Sequence, residues 1–271
     1  MNNIYLELTN QFNQGKLRSI ISSGQAVVLH RLAIMSKDGD WIIQEDVEST
    51  RHIIGVLERF GARYRFGAPL DCRWLAGGWS SHFEFMHNGM RIRTDFVARP
   101  PRISAERLEK IWKEQKTRKI PFVDLHDLAE LKKTNREKDY AVLGELARRM
   151  IPSIALRYSR SARELVTAYR RNNKKVLAIL NERGIPVEAT ISVEAMEIAL
   201  DAERRRLIHV NEHRLSKYSE AASTWAKRWK SIEKKIAGMP LSQAHEFITE
   251  QAESILPVNL NEAFSIGPAP R

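Results

Sequence analysis

The 271-residue chain contains one cysteine, Cys72, which excludes a disulfide framework. No run approaches the ~18 apolar residues that a membrane span needs. No Gly-x-Gly-x-x-Gly or P-loop motif is complete. His209 and His213 stand four apart, but with no third ligand they read as a solvated helix face. The opening segment MNNIYLELTNQFNQGK lacks the charged-then-apolar order of a signal peptide. The expectation from these absences is a soluble, cytoplasmic protein without a membrane partner.

What is present in excess is positive charge. Lys and Arg number 44 against 33 Asp and Glu, a net charge of +11. Such an excess suggests a polyanionic partner, most often nucleic acid or nucleotides. The excess is uneven: residues 1–154 carry +6, residues 155–240 carry +8, and the last 31 residues carry −3. The densest part holds Arg157, Arg160, Arg163, Arg170, Arg171, Lys174 and Lys175, then Arg204–Arg206. Trp225, Lys227, Arg228, Trp229 and Lys230 interleave aromatics with charge. These residues suit contact with RNA, docking of a protein partner, or simple solvation, and Trp225 and Trp229 at i, i+4 also fit a packing stripe.

The pattern along the chain predicts an α+β fold. Helix-period apolar residues precede a short strand at Trp41–Ile43, and Ser49 can cap a helix carrying Ile53, Ile54 and Leu57. Asn88-Gly89 lies between two alternating runs, a strong hairpin signal. Counting outward from that turn pairs Glu84 with Arg93 and His82 with Asp95. One hairpin face then carries His82, Glu84, Arg93 and Asp95, and the other carries Phe83, Phe85, Ile92, Thr94 and Phe96. From Ser153 almost everything reads helical, with a break expected between Ser192 and Ala237. The expected organisation is a mixed-sheet domain at 1–152, a basic helical domain at 153–256, and a loose tail at 257–271.

The chemistry-bearing motif is Asp38-Gly39-Asp40 before Trp41-Ile42-Ile43. In a strand, i and i+2 share a face, so both carboxylates project into one site. Clustered carboxylates repel one another and favour a hard divalent cation. Upstream, Ser22-Ser23-Gly24 opens an apolar helix bearing His30, and a small-residue turn there presents free N–H groups to phosphate. Asp95, on the polar hairpin face, can join Asp38 and Asp40.

Ser23-Gly24-Gln25-Ala26, His30, Ser36, Asp38-Gly39-Asp40 and Asp95 resemble the DNA polymerase beta-type nucleotidyltransferase superfamily. The likeness is nearest to the abortive-infection type nucleotidyltransferases, many of them toxins of toxin–antitoxin pairs. Ile120–Val123, Leu128, Leu131-Lys132, Arg136 and Lys138-Asp139 extend it, so that it covers roughly residues 17–150. The resemblance implies a nucleotidyltransferase-like mixed sheet. It also implies two Mg²⁺ ions held by Asp38, Asp40 and Asp95, with Ser23 and Gly24 gripping phosphate and Lys132 and Arg136 neutralising the triphosphate. NTP would be the donor, RNA such as tRNA or a protein hydroxyl the acceptor, and an antitoxin a further partner. The sequence departs from the family at three points. It has Ser23-Gly24 for the usual Gly-Gly or Gly-Ser, Ile34 for a basic residue, and Gly39 for an aliphatic residue. An inactive nucleotidyltransferase fold that binds nucleic acid or protein through its basic helices is the alternative.

Overall fold

The computed structural model describes residues 3–258. It is an α+β protein with one five-stranded mixed sheet. Contacts divide it into two compact units. The first comprises the residues up to Val123 and those from Ser216 on; the second is Asp124–Leu215.

The first unit holds the sheet. Its strands are β1 (Ser19–Ser22), β2 (Asp38–Ile43), β3 (Arg63–Tyr64), β4 (Ser81–His87) and β5 (Met90–Val97), in the order β1-β2-β5-β4-β3. Among the four strand pairs of the described residues, β2–β5 is parallel and the others are antiparallel. The β4–β5 hairpin forms in the register the turn predicts, with Glu84 opposite Arg93 and His82 opposite Asp95. Asn88 and Gly89 both have positive φ, 50° and 75°, as a two-residue hairpin turn of the right twist demands.

One sheet face is apolar. Phe83, Phe96 and Trp41 are buried there, with Phe12 edge-on to Trp41 at 5.4 Å. Phe12 comes from α1 (Ile4–Phe12), which also packs on α3 (Val47–Arg59). Helix α1 starts where the Asn3 side chain accepts from Tyr5 N–H; α3 starts at an Asp46 cap. α2 (Ser23–Leu29) packs on β1 and β2, and Asp38 and Asp40 stay half-buried. α4 (Cys72–Ala76) and α5 (Ala105–Gln115) complete the first part of the chain.

Helices from the far end of the sequence return to this unit. The expected break falls at Ala222, between α11 (Val193–Ala221) and α12 (Ser223–Ile236). α13 (Leu241–Glu253) packs on α3 and β3. Trp225 and Trp229 are buried, with Trp225 Nε1 donating to the Gly67 carbonyl at 2.9 Å and Trp229 edge-on to Phe66. They are packing residues, as their i, i+4 spacing allowed, and their rings are closed to nucleobases. A boundary at Pro152 therefore differs from the division found here: 216–258 belongs with the sheet, because buried apolar residues on α12 and α13 join the sheet's unit. The expected tail begins at Pro257, whose carbonyl accepts from Trp79 Nε1 at 2.9 Å; from residue 259 on, the tail lies outside the described residues.

The second unit is helical: α6 (Leu125–Leu131), α7 (Glu137–Arg148), α8 (Pro152–Ala155), α9 (Ala162–Arg171), α10 (Asn173–Glu182) and a 3-10 turn at Val187–Ile191, with most of α11. Leu165, Leu180 and Met196 are central to its core. Beside them Glu203 accepts from Arg183 at 2.7 and 2.8 Å and also binds Arg160. Both guanidiniums outweigh the burial that would raise the Glu203 carboxyl, and its pKa is lowered. Among the described residues no helix is long and apolar enough to cross a membrane.

Candidate functional site

The polar sheet face gathers the predicted carboxylates. In the parallel pair, Asp40 stands opposite Asp95 and Asp38 opposite Arg93. Asp38, Asp40 and Asp95 therefore share one face across two adjacent strands. Their charges are felt at the Tyr5 hydroxyl. Burial first, then Asp38, Asp40 and Asp95, push its pKa up to about 12. The phenol stays neutral and donates to the Lys37 carbonyl at 2.6 Å.

Each carboxylate has its own surroundings. Asp95 Oδ1 lies 2.6 Å from His82 Nδ1 and 3.5 Å from Arg65 Nη1. His82 Nε2 is 2.9 Å from Ser80 Oγ, so the ring is held from both sides. Asp38 Oδ1 is 3.9 Å from Arg93 Nη1, beyond hydrogen-bond reach. That oxygen and Arg93 Nε are both buried without a hydrogen bond. Glu84 is not taken by Arg93, its neighbour across the hairpin; Arg63 reaches it at 2.7 Å. Among the described residues no group of three or more His, Cys, Asp or Glu stands close enough to hold a metal ion. The three carboxylates share a face without forming a closed ligand set, because Asp95 turns to His82 and Asp38 sits beside Arg93.

Gly39, which the resemblance marked as a departure, has a steric reason. A Cβ there would lie 2.4 Å from a Trp41 ring carbon and 2.5 Å from a Tyr5 ring carbon. Two rings occupy the volume an aliphatic side chain would need. Gly24 likewise faces Ser36: a Cβ would come within 2.3 Å of its hydroxyl oxygen. Ser36 Oγ donates to the Asp38 carbonyl at 3.3 Å, and Gln25 Nε2 donates to the Ser36 and Asp38 carbonyls at 3.1 and 3.3 Å. The turn and the acidic strand are thus tied together. Ser23 has φ of 48°, a left-handed conformation rare outside glycine that recurs at functional sites. His30 lines the same region, its Nε2 3.0 Å from the Val123 carbonyl. Within Ile120–Val123, Phe122 forms an isolated parallel bridge with Ile21.

Lys132 and Arg136 belong to the second unit. Lys132 is buried and lies 3.3 Å from Asp139 Oδ1; Arg136 Nε and Thr134 Oγ1 donate to Asp139 Oδ2 at 2.8 and 2.6 Å. Burial raises the Asp139 carboxyl, but Thr134, Lys132 and Arg136 together win and lower its pKa. The Lys132, Arg136 and Asp139 pieces of the motif therefore organise one ion-pair cluster, with Arg136 exposed at its rim. Cys72 is half-buried at the start of α4, its thiol pushed up by burial first and then by Asp71. His209 and His213 are exposed. Sequence reasoning missed Tyr5, Arg65 and the Arg93–Asp38 contact, since each depends on strand order or on a helix far away in sequence.

No family model matches the chain, and no curated protein does. A solved structure described as a "putative nucleotidyltransferase from H. pylori" is similar to it, with a TM-score of 0.39 and 11% identity, over 78% of this chain and 96% of that one. At that level of likeness, function rests on the residues of the site.

Proposed function

We propose that the chain is a Mg²⁺-dependent nucleotidyltransferase that moves a nucleoside monophosphate from an NTP to a hydroxyl acceptor. The observation that carries this reading is the pairing of Asp40 with Asp95 across β2 and β5, with Asp38 on the same face. The donor set suits the metal: carboxylate oxygens are hard ligands, Mg²⁺ needs only one or two of them beside phosphate oxygens, and Asp38 Oδ1 is buried without a hydrogen bond. Asp38, Asp40 and Asp95 are the residues that would hold it, two ions being the number the resemblance implies. When bound, Mg²⁺ supplies charge neutralisation at the triphosphate and a lower pKa for the acceptor hydroxyl.

The chain's own residues do the rest. Ser23 and the backbone at Gly24 grip phosphate oxygens beside Ser36. His82, fixed by Ser80, holds Asp95 in place. The acceptor oxygen attacks the α-phosphorus, the bond to the β-phosphate bridge breaks, and pyrophosphate leaves; positioning and charge carry this chemistry. The acceptor is RNA such as tRNA, or a protein side chain. A toxin role with an antitoxin partner goes with the same reading.

The test offers each α-labelled NTP with Mg²⁺ to total tRNA and to total protein. Label transfer that is lost in Asp38→Ala and Asp40→Ala is the expected result; no transfer from any NTP overturns the reading. A second reading, an inactive module that binds nucleic acid, draws on Arg170, Arg171, Lys174 and Lys175. All four are exposed, and among the described residues none of them is in an ion pair. It predicts RNA binding that falls steeply with salt and no transfer.

A further inference from the structure

Beside Asp38 lies a cavity of about 440 Å³, within the range of small-molecule pockets. Three separate segments line it: the start of α1, the loop entering β2 and the start of β5. Its chemistry is two-sided. Lys37, Arg91 and Arg93 supply three cations. None is saturated. Arg91 Nε is 3.8 Å from Glu84 and Arg93 Nη1 is 3.9 Å from Asp38, both beyond hydrogen-bond reach. Among the described residues Arg93 Nε is buried without an acceptor. A buried donor left unpaired in a folded protein calls for an acceptor, which water or a ligand can supply.

The other side is soft and apolar. Met35 and Met90 line the cavity while 72% and 56% exposed. Methionine sulfur is polarizable and favours flat aromatic rings. Ser36 lines the cavity too, and it is the residue against which Gly24 packs. Through Ser36 and Asp38 the cavity adjoins the turn and the first residue of the acidic strand, while Asp40 and Asp95 are not in its lining.

We propose that this cavity is the nucleoside triphosphate site, with Lys37, Arg91 and Arg93 on the phosphates and Met35 and Met90 against the base. The inference rests on the nucleotidyltransferase reading and reassigns its cations. Lys132 and Arg136 already bind Asp139, whereas guanidiniums with free N–H groups match phosphate geometry. The methionines, unbranched and adaptable, favour a planar base without fixing which one.

The test measures binding of the four NTPs and of inorganic tripolyphosphate to the full chain by calorimetry. Arg91→Gln and Arg93→Gln each weaken both ligands by about tenfold to a hundredfold, the worth of a charge-assisted hydrogen bond. Met35→Ser and Met90→Ser weaken the NTP and leave tripolyphosphate unchanged. Arg136→Ala leaves both unchanged. Near-ultraviolet circular dichroism confirms that each variant is folded. NTP affinity unaltered in both arginine variants overturns the inference, and if wild-type label transfer persists, the functional reading survives that failure. Methionine variants without effect overturn the base contact. A wild-type chain that binds neither ligand and transfers no label overturns both.

Discussion

Replacing Gly39 by alanine should be costly out of proportion to one methyl group. The new Cβ would lie 2.4 and 2.6 Å from two Trp41 ring carbons and 2.5 Å from a Tyr5 ring carbon. Ordinary carbon contacts are about 3.5–4.0 Å, so each overlap is roughly 1 Å. Neither ring is free to swing. Trp41 Nε1 donates to Thr9 Oγ1 at 2.9 Å, and the indole stacks on Phe96 at 5.4 Å. The Tyr5 hydroxyl is tied to the Lys37 carbonyl. Overpacking a tight core costs about 1–3 kcal/mol, and two fixed rings put Gly39→Ala in the upper half. At about 2–4 °C per kcal/mol for a unit of this size, the melting temperature falls by roughly 4–12 °C. Calorimetry on purified protein reads this directly. Gly55→Ala is the control: its Cβ meets nothing within 4 Å and it lies inside α3, so its melting temperature holds or rises. Tyr5→Leu with Gly39→Ala should be less destabilised than the two single changes summed, by about 0.5 kcal/mol or more. A Gly39→Ala protein melting within 2 °C of wild type, with no coupling to Tyr5, would refute the steric account.

Ser23→Gly relieves a left-handed backbone worth about 1–2 kcal/mol and should raise the melting temperature while label transfer falls, because the hydroxyl is lost. The buried carboxylates of Asp139 and Glu203 both have lowered pKa values, from 3.8 and 4.5. Their stabilisation is present above those ordinary values and is lost as pH falls through the lower folded values, so urea midpoints should drop steeply below about pH 4. Glu203→Gln leaves two guanidiniums without a counter-charge and costs about 3–5 kcal/mol at pH 7, with less further loss in acid than wild type. Ending the chain after Ile255 removes the carbonyls of Leu256 and Pro257 that pair with Trp74 and Trp79 Nε1. Each orphaned indole costs about 1–3 kcal/mol relative to a chain ending after Val258, read by tryptophan fluorescence melts.

The parts of the site that local chemistry specifies were legible in the sequence. Asn88-Gly89 admits a tight turn, the turn sets the register, and the register places Glu84, Arg93, His82 and Asp95 on one face. Asp38 and Asp40 share a face by strand alternation alone. What was not legible depends on distant partners. The parallel pairing of β2 with β5 crosses a long connection and carries no local signal, yet it decides that Arg93 meets Asp38 rather than Glu84. The steric reason for Gly39 could not be read from spacing, because Tyr5, which stands against it, lies more than thirty residues earlier. Lys132, Arg136 and Asp139 were all visible as motif residues, but spacing alone gave no reason to join them in one cluster around a buried carboxylate. The return of α12 and α13 to the sheet was hidden because an amphipathic helix shows that it packs, not on what.

That return fixes when the site-bearing unit is finished during synthesis. The strands leave the ribosome early, but the Gly67 carbonyl waits for Trp225, and α3 and β3 wait for α13. At about 5–20 residues per second, the delay between β5 and α13 is on the order of ten seconds. All of Asp124–Leu215 is made in that interval and can assemble its own core first. A nascent chain therefore carries Asp38, Asp40 and Asp95 well before it carries the helices that complete their unit.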